Sequence, residues 1–175
     1  LYYDYKAIEV FKRNQIIEAV KFIDLALQYE NSENSAGIIH YHASLIYTFY
    51  CKLSKALSFS QIAEGYFFKT RNLNRLTQSQ VHSASINAKL CQYRTSKKMY
   101  HRILSTTSDS DLSMVILYNL AWFSYLNKQY NDSLTYLSQL EKSQTLTENG
   151  IYIKCYCLYQ LGRIQEGDEL FQNTI

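Results

Sequence analysis

Small residues recur through this chain of 175 residues at a spacing that few folds can use. Five of them stand at equivalent places in successive apolar segments, 37, 40, 37 and 34 residues apart: Ala19, Ala56, Ser96, Ser133 and Gly167. A second column stands twelve residues before the first, at Ala7, Ser44, Ala84, Ala121 and Cys155. Internal similarity at such a period indicates a repeat protein, in which each unit packs against the next.

The residues around each column follow a helical period. In IIEAVKFIDLAL, Ala19 is followed by Ile23 and Ala26, which lie on the same face of a helix. Helix axes approach to about 8–10 Å only where the side chains between them are short, so one small residue on each of two successive helices predicts a helical hairpin. The chain also has no Pro and only five Gly, whereas β-rich folds use both in their turns. The sequence therefore predicts an all-α protein.

The pattern resembles the tetratricopeptide repeat (TPR), a hairpin of about 34 residues with a small residue on each helix. This resemblance implies a right-handed superhelical solenoid of about five TPR-like hairpins. We expect a single repeat domain over 1–175, with repeats at roughly 1–32, 36–69, 74–106, 111–143 and 148–175. The chain departs from the TPR pattern because no repeat has the Pro that usually ends the second helix. Only the fifth repeat has a Gly between its helices, Gly162.

Polar segments separate the predicted helices. NSENSAG, KTRNLNR, TTSDSD and SQTLTENG are rich in residues that cap helix N-termini and form turns. The chain starts without an evident cap and ends inside an amphipathic pattern, so we expect it to be part of a longer protein. An apolar face on the last predicted helix suggests either a capping segment or a homodimer contact.

In TPR proteins the first helix of each hairpin lines a concave groove, and a few positions around its small residue face that groove. Carrying these positions over to this chain predicts peptide-binding residues at Tyr41, His42, His82, Ser85, Lys89, Tyr118, Asn119, Trp122, Tyr125, Tyr152 and Tyr156. Most of them are aromatic and uncharged, which suits an extended peptide because rings offer apolar area with few rotatable bonds. Aromatic stripes at helical spacing are also typical of a packed core, so a purely structural role stays open.

The fourth and fifth repeats resemble a narrower group of proteins. LYNLAWFSYLNKQYNDSLTYLSQLEKS is similar to a segment in the sensor domains of peptide-pheromone regulators of the PlcR, Rgg and NprR kind, and IYIKCYCLYQLGRIQEGDELF is similar to their next hairpin. In those regulators a helix-turn-helix DNA-binding domain precedes a repeat domain that binds a short peptide. The resemblance implies that Asn119, and Asn87 in SINAKL, hold the peptide backbone.

We therefore predict a peptide-binding sensor domain of a peptide-responsive transcriptional regulator of the quorum-sensing type, with the peptide in the concave groove. The alternative is a scaffold or adaptor that binds a segment of a partner protein without a switch. A net charge of +3, from 18 basic and 15 acidic side chains, gives no strong surface field, so we expect no direct contact with nucleic acid. The most apolar run is too short and too polar for a bilayer span, and we expect a cytoplasmic protein without membrane contact.

Residue spacing argues against a metal site or a catalytic centre. His40 and His42, like Cys155 and Cys157, are two residues apart and point to opposed faces of a helix, so neither pair can hold one metal ion. The sequence contains no Gly-rich phosphate loop and no nucleophile motif. We therefore expect neither enzymatic activity nor a cofactor, and we expect the four cysteines to stay reduced thiols.

Overall fold

The computed structural model describes residues 1–29 and 33–172, and these residues contain helices and no strand. The helices are α1 (Tyr2–Lys12), α2 (Ile16–Tyr29), α3 (Glu33–Phe49), α4 (Leu53–Lys69), α5 (Leu73–Lys89), α6 (Tyr93–Leu104), α7 (Ser110–Leu126), α8 (Tyr130–Glu141), α9 (Glu148–Gln160) and α10 (Ile164–Gln172). Among the described helices, four consecutive pairs pack together where the small residues predict hairpins: α1–α2, α3–α4, α7–α8 and α9–α10.

Three of the four polar segments separate helices as the sequence predicts. Asn72, Asp109 and Thr147 each cap the helix that follows, because their side-chain oxygens accept a hydrogen bond from a backbone N–H in its first turn. The exception is NSENSAG, since α3 already begins at Glu33 and most of this segment is helical. Its first two residues lie outside the described part of the chain.

The chain divides into two compact units, Leu1–Met99 and Tyr100–Ile175. The larger unit contains α1 to α5 and the first part of α6, and its core is an apolar cluster that includes Ala7, Val10, Ile23, Ile39, Ile46, Tyr47 and Ile86. The smaller unit contains the rest of α6 and α7 to α10, and it buries Ile116, Leu120, Leu137, Leu140 and Ile153. The expectation of a single repeat domain stays a prediction.

All ten small residues of the two columns are buried. Within a hairpin the two columns meet, and a hydroxyl joins them in two repeats. The Ser44 Oγ donates to the backbone carbonyl of Ala56 at 2.8 Å, and the Ser133 Oγ donates to that of Ala121 at 2.9 Å. Ser96 differs, since its buried hydroxyl has no hydrogen-bond partner among the described residues. The columns therefore mark the closest approach of paired helices, as short side chains require.

In the described part of the chain, six helices end in the same tight turn, although five of these turns lack glycine. In each turn one residue has a positive φ of 55–75°; these residues are Asn14, Cys51, Arg71, Cys91, Lys128 and Gly162. In the α7–α8 turn the N–H of Lys128 donates to the Tyr125 carbonyl, and the N–H of Gln129 donates to the Ser124 carbonyl. This pair of bonds defines the Schellman motif, which satisfies the last carbonyls of the helix.

The last described helix has an exposed apolar face. Ile164 and Phe171 of α10 are 60% and 55% exposed. This agrees with the expected apolar face, and the capping segment or homodimer contact inferred from it stays a prediction.

Candidate functional site

An open cleft of about 550 Å³ lies in the smaller unit and contains two of the predicted site residues. Tyr118 and Asn119 line it from α7, and both side chains are half-buried. The rest of its lining comes from the first turns of α7, the end of α8, the α8–α9 loop and the start of α9: Asp111, Met114, Val115, Leu140, Gln144, Thr147 and Asn149. Within the described chain the Asn119 amide forms no side-chain hydrogen bond, so its donor and acceptor are open to a ligand.

Four other predicted residues form an aromatic cluster on α7 and α9. The ring centroids of Trp122 and Tyr125 are 5.7 Å apart, and those of Tyr125 and Tyr156 are 5.2 Å apart with an edge-to-face angle of 87°. Tyr152 lies 6.4 Å from Tyr156 and is 61% exposed. Edge-to-face contacts of this kind stabilise the rings in fixed positions. The cluster is thus a preformed aromatic surface, with its outer edge accessible.

Two tyrosines at the aromatic cluster have raised pKa values. Partial burial raises the pKa of Tyr125, and the hydroxyls of Tyr152 and Tyr156 raise it further. Partial burial also raises the pKa of Tyr130, the α8 residue whose ring lies 6.2 Å from that of Tyr156. The phenols of Tyr125 and Tyr130 therefore stay neutral at pH 7 and can act as hydrogen-bond donors and acceptors.

The predicted residues of the larger unit contact one another. The ring of Tyr41 lies 6.2 Å from that of His42 and 6.0 Å from that of His82. The His42 Nδ1 lies 2.8 Å from the carboxylate of Asp4, and the His82 Nε2 lies 3.4 Å from the hydroxyl of Thr48. Burial lowers the pKa of His82 to about 4, so this imidazole is neutral at pH 7. These side chains are half-buried, and one ring nitrogen of each histidine already has a partner.

The remaining predicted residues have different surroundings. Asn87 is only 5% exposed and lies between α5 and α6, where its amide donates to the Ser83 carbonyl and contacts the Met99 sulfur. Ser85 is half-buried and Lys89 is exposed. The Asn87 amide is therefore already used within its hairpin, in contrast to that of Asn119.

Sequence reasoning missed the residues that surround Asn119. The positions taken from the TPR pattern cover only the middle of the first helix of each hairpin. Asp111, Met114 and Val115 lie one to two turns before Tyr118 on α7. The sequence pattern identifies the α8–α9 loop only as a polar segment between helices, although Gln144 and Thr147 form a wall of the cleft. Its enrichment in Gln, Thr and Asn was the one signal in the sequence that pointed to this wall.

Within residues 1–29 and 33–172, no group of three or more His, Cys, Asp or Glu side chains is placed to hold a metal ion. None of the helices in this part of the chain combines the length and the apolar character that crossing a bilayer requires. The four cysteines are unpaired, with Cys51 and Cys91 exposed and Cys155 and Cys157 buried.

Comparison with known proteins shows similarity in structure but not in sequence. No protein-family model matches the chain, and no curated protein matches it significantly. The apo form of the quorum sensor NprR from B. thuringiensis superimposes with a TM-score of 0.84 at 18% identity, and NprR in complex with its cognate peptide NprX with 0.72 at 19%. Each match covers 98% of this chain and 51% or 53% of the NprR chain.

Two further structures share the fold. The apo form of RapI has a TM-score of 0.79 at 13% identity, over 98% of this chain and 51% of RapI. TPR-like repeats of a protein described as a kinesin light chain from Podosopora anserina have a TM-score of 0.75 at 16% identity, over 98% of this chain and 90% of theirs. The predicted fold class, an all-α solenoid of TPR-like hairpins, is confirmed. The chain spans about half the length of NprR and RapI.

Proposed function

We propose that the chain is the peptide-binding sensor domain of a peptide-responsive transcriptional regulator of the quorum-sensing type, acting in the cytoplasm. The observation that carries this proposal is a largely neutral surface of the smaller unit, on which Asp111 is the charged residue of the cleft. There the open amide of Asn119 faces a cleft, and the aromatic cluster continues from it along the same helix. In such a regulator a separate domain contacts DNA, and the repeat domain receives the signal.

The chemistry of this surface fits a short peptide. An asparagine amide can donate to a peptide carbonyl and accept from a peptide N–H at the same time. The rings of Trp122, Tyr125 and Tyr156 offer apolar area that is already ordered, so a ligand loses little of its binding energy to fixing them. The structure of NprR with NprX supports a peptide as the ligand, because that protein binds its cognate peptide with a related fold.

Substitution of Asn119 tests the proposal. A peptide is first selected from a random library of hexapeptides for binding to the 175-residue chain, and its affinity is measured by fluorescence anisotropy. Asn119→Ala should weaken that peptide by about 1–3 kcal/mol, roughly 5- to 150-fold in Kd, because the peptide backbone loses partners in a partly buried place. Circular dichroism should show unchanged helix content.

Asn131→Ala is the matched control. Asn131 lies on α8 of the same unit, is exposed and does not line the cleft. We expect its substitution to leave the affinity unchanged. Equal affinities of both variants would remove Asn119 from the site, and failure of the chain to select any peptide would contradict the proposed function itself.

A scaffold or adaptor without a switch is the second candidate. The similarity to the kinesin light chain repeats favours it, since 90% of that chain aligns with this one. Hydrogen exchange with and without the selected peptide separates the two candidates. A sensor should change the exchange of helices remote from the peptide, because a ligand that prefers one conformation shifts the population towards it. A scaffold should change only the residues in contact with the peptide.

A further inference from the structure

We propose that the cleft beside Asn119 binds a peptide segment in which a large apolar side chain stands next to a basic one, and that Asp111 contacts the basic group. This inference rests on the proposed function and assigns the chemical class of its ligand. Asp111 and the other residues that would select among peptides are not among the predicted groove positions.

The apolar part of the cleft has a closed floor and an open wall. Leu140 of α8 is 2% exposed and forms the floor, whereas Val115 of α7 is 50% exposed. Met114 lies beside Val115, and its flexible thioether can adapt to side chains of different shape. A volume of about 550 Å³ lies within the range of pockets that enclose small ligands. One large side chain with its backbone therefore fits here.

A single charge lies at the edge of this apolar surface. Among the described residues, Asp111 is the only charged side chain that lines the cleft, and the other lining residues are neutral. No ion pair or side-chain hydrogen bond joins its carboxylate to another described residue. A ligand that complements this edge carries a positive charge, and a carboxylate next to its apolar side chain would be repelled.

The position of Asp111 also has a purely structural explanation, because a carboxylate in the first turn of a helix interacts favourably with the helix dipole.

Two observations limit the explanation of Asp111 by the helix dipole. Asp109 already caps α7 by accepting the N–H of Leu112 at 3.0 Å, so Asp111 is not needed as the cap. Glu148 also lies in the first turn of its helix, α9, but does not line the cleft. Glu148 is therefore a natural control for the effect of the dipole.

The polar wall of the cleft suits a peptide backbone. Thr147 is fixed because its hydroxyl accepts the N–H of Gly150 at 3.3 Å, which caps α9 and holds the α8–α9 loop. The amides of Asn119 and Gln144 lie on the two sides of the cleft. A peptide that places its apolar side chain between these walls would present its backbone to neutral amides and its next side chain to Asp111.

A defined peptide library tests the inference. Acetylated and amidated hexapeptides, each position varied among Leu, Phe, Ser, Asn, Lys and Glu, are selected on the 175-residue chain and on its Asp111→Asn and Glu148→Gln variants. The unmodified chain should enrich Lys next to Leu or Phe by about two- to fivefold over Ser, the range of an exposed ion pair, and should deplete Glu there. Asp111→Asn should abolish both preferences, and Glu148→Gln should preserve them. Val115→Trp, which fills the cleft, should remove the preference for Leu and Phe.

The outcomes separate this inference from the proposed function. If the chain selects peptides that depend on Asn119 but shows no Lys preference, the inference is wrong and the proposed function stands. A Lys preference that survives in Asp111→Asn, or that is lost equally in Glu148→Gln, overturns the role of Asp111. If the chain selects no peptide, both are wrong.

Discussion

Two serines at equivalent places in the repeats should respond to alanine substitution with opposite signs. Ser96 and Ser133 both belong to the first column of small residues and are 2% and 0% exposed. The Ser133 hydroxyl donates to the Ala121 carbonyl at 2.9 Å, and its loss should cost about 1 kcal/mol. The Ser96 hydroxyl is buried without a partner among the described residues, so removing it should recover about 1–3 kcal/mol of desolvation free energy.

The comparison is well controlled because both substitutions are Ser→Ala inside a helix. The gain in helix propensity is common to the two variants and cancels in their difference. That difference in the free energy of unfolding should reach about 2–4 kcal/mol in favour of Ser96→Ala. Urea unfolding followed by circular dichroism measures it, and Trp122, the only tryptophan, reports on the smaller unit. Equal shifts, or a destabilised Ser96→Ala variant, would refute the assignment of the two hydroxyls.

Two further predictions concern a turn and a buried imidazole. Lys128→Gly should raise the free energy of unfolding in urea by about 0.5–1 kcal/mol, because relief of a positive φ (about 1–2 kcal/mol) exceeds the entropy that Gly loses on folding. Gly162→Ala should lower the free energy of unfolding. Shifts of equal sign in the two variants would contradict this prediction. The low pKa of His82, about 4 in the folded state against about 6.5 in the unfolded chain, means that only the unfolded state gains this proton as the pH falls. The free energy of unfolding should therefore decrease by about 1.4 kcal/mol per pH unit between pH 6.5 and 4. In His82→Gln, the free energy of unfolding measured at pH 7, 6 and 5 should depend less steeply on pH.

The hairpins could be predicted from the sequence because close packing of helices leaves few choices at the contact. A residue such as Ala121 must be small whatever its neighbours are, and the period of small residues survives in a chain with few other repeat features. The turns were harder to recognise. Only Gly162 among their described positive-φ residues is a glycine, and the others include Lys128 and two cysteines, so most of these turns lack the usual composition signal although the Schellman geometry is present.

The candidate site could be predicted only in part. The aromatic cluster follows from helical geometry, since Trp122 and Tyr125 lie near each other on one face of α7. The cleft depends on how the α8–α9 loop packs, and no periodicity encodes that. Asn87 and Asn119 have the same side chain in similar motifs, yet one lies between paired helices and the other faces an open space. This difference is set by tertiary contacts.

The hydroxyl bridges between paired helices can run in either direction. Ser44 donates from the first helix of its hairpin, whereas Ser133 donates from the second. A hairpin therefore needs one short side chain on each helix and tolerates the hydroxyl on either of them. Serine and alanine could change places between the two columns during evolution with little effect on the fold. Exchange of this kind would erase sequence similarity between repeats while the helices kept their spacing, which is consistent with the low identity of 13–19% between this chain and RapI or NprR.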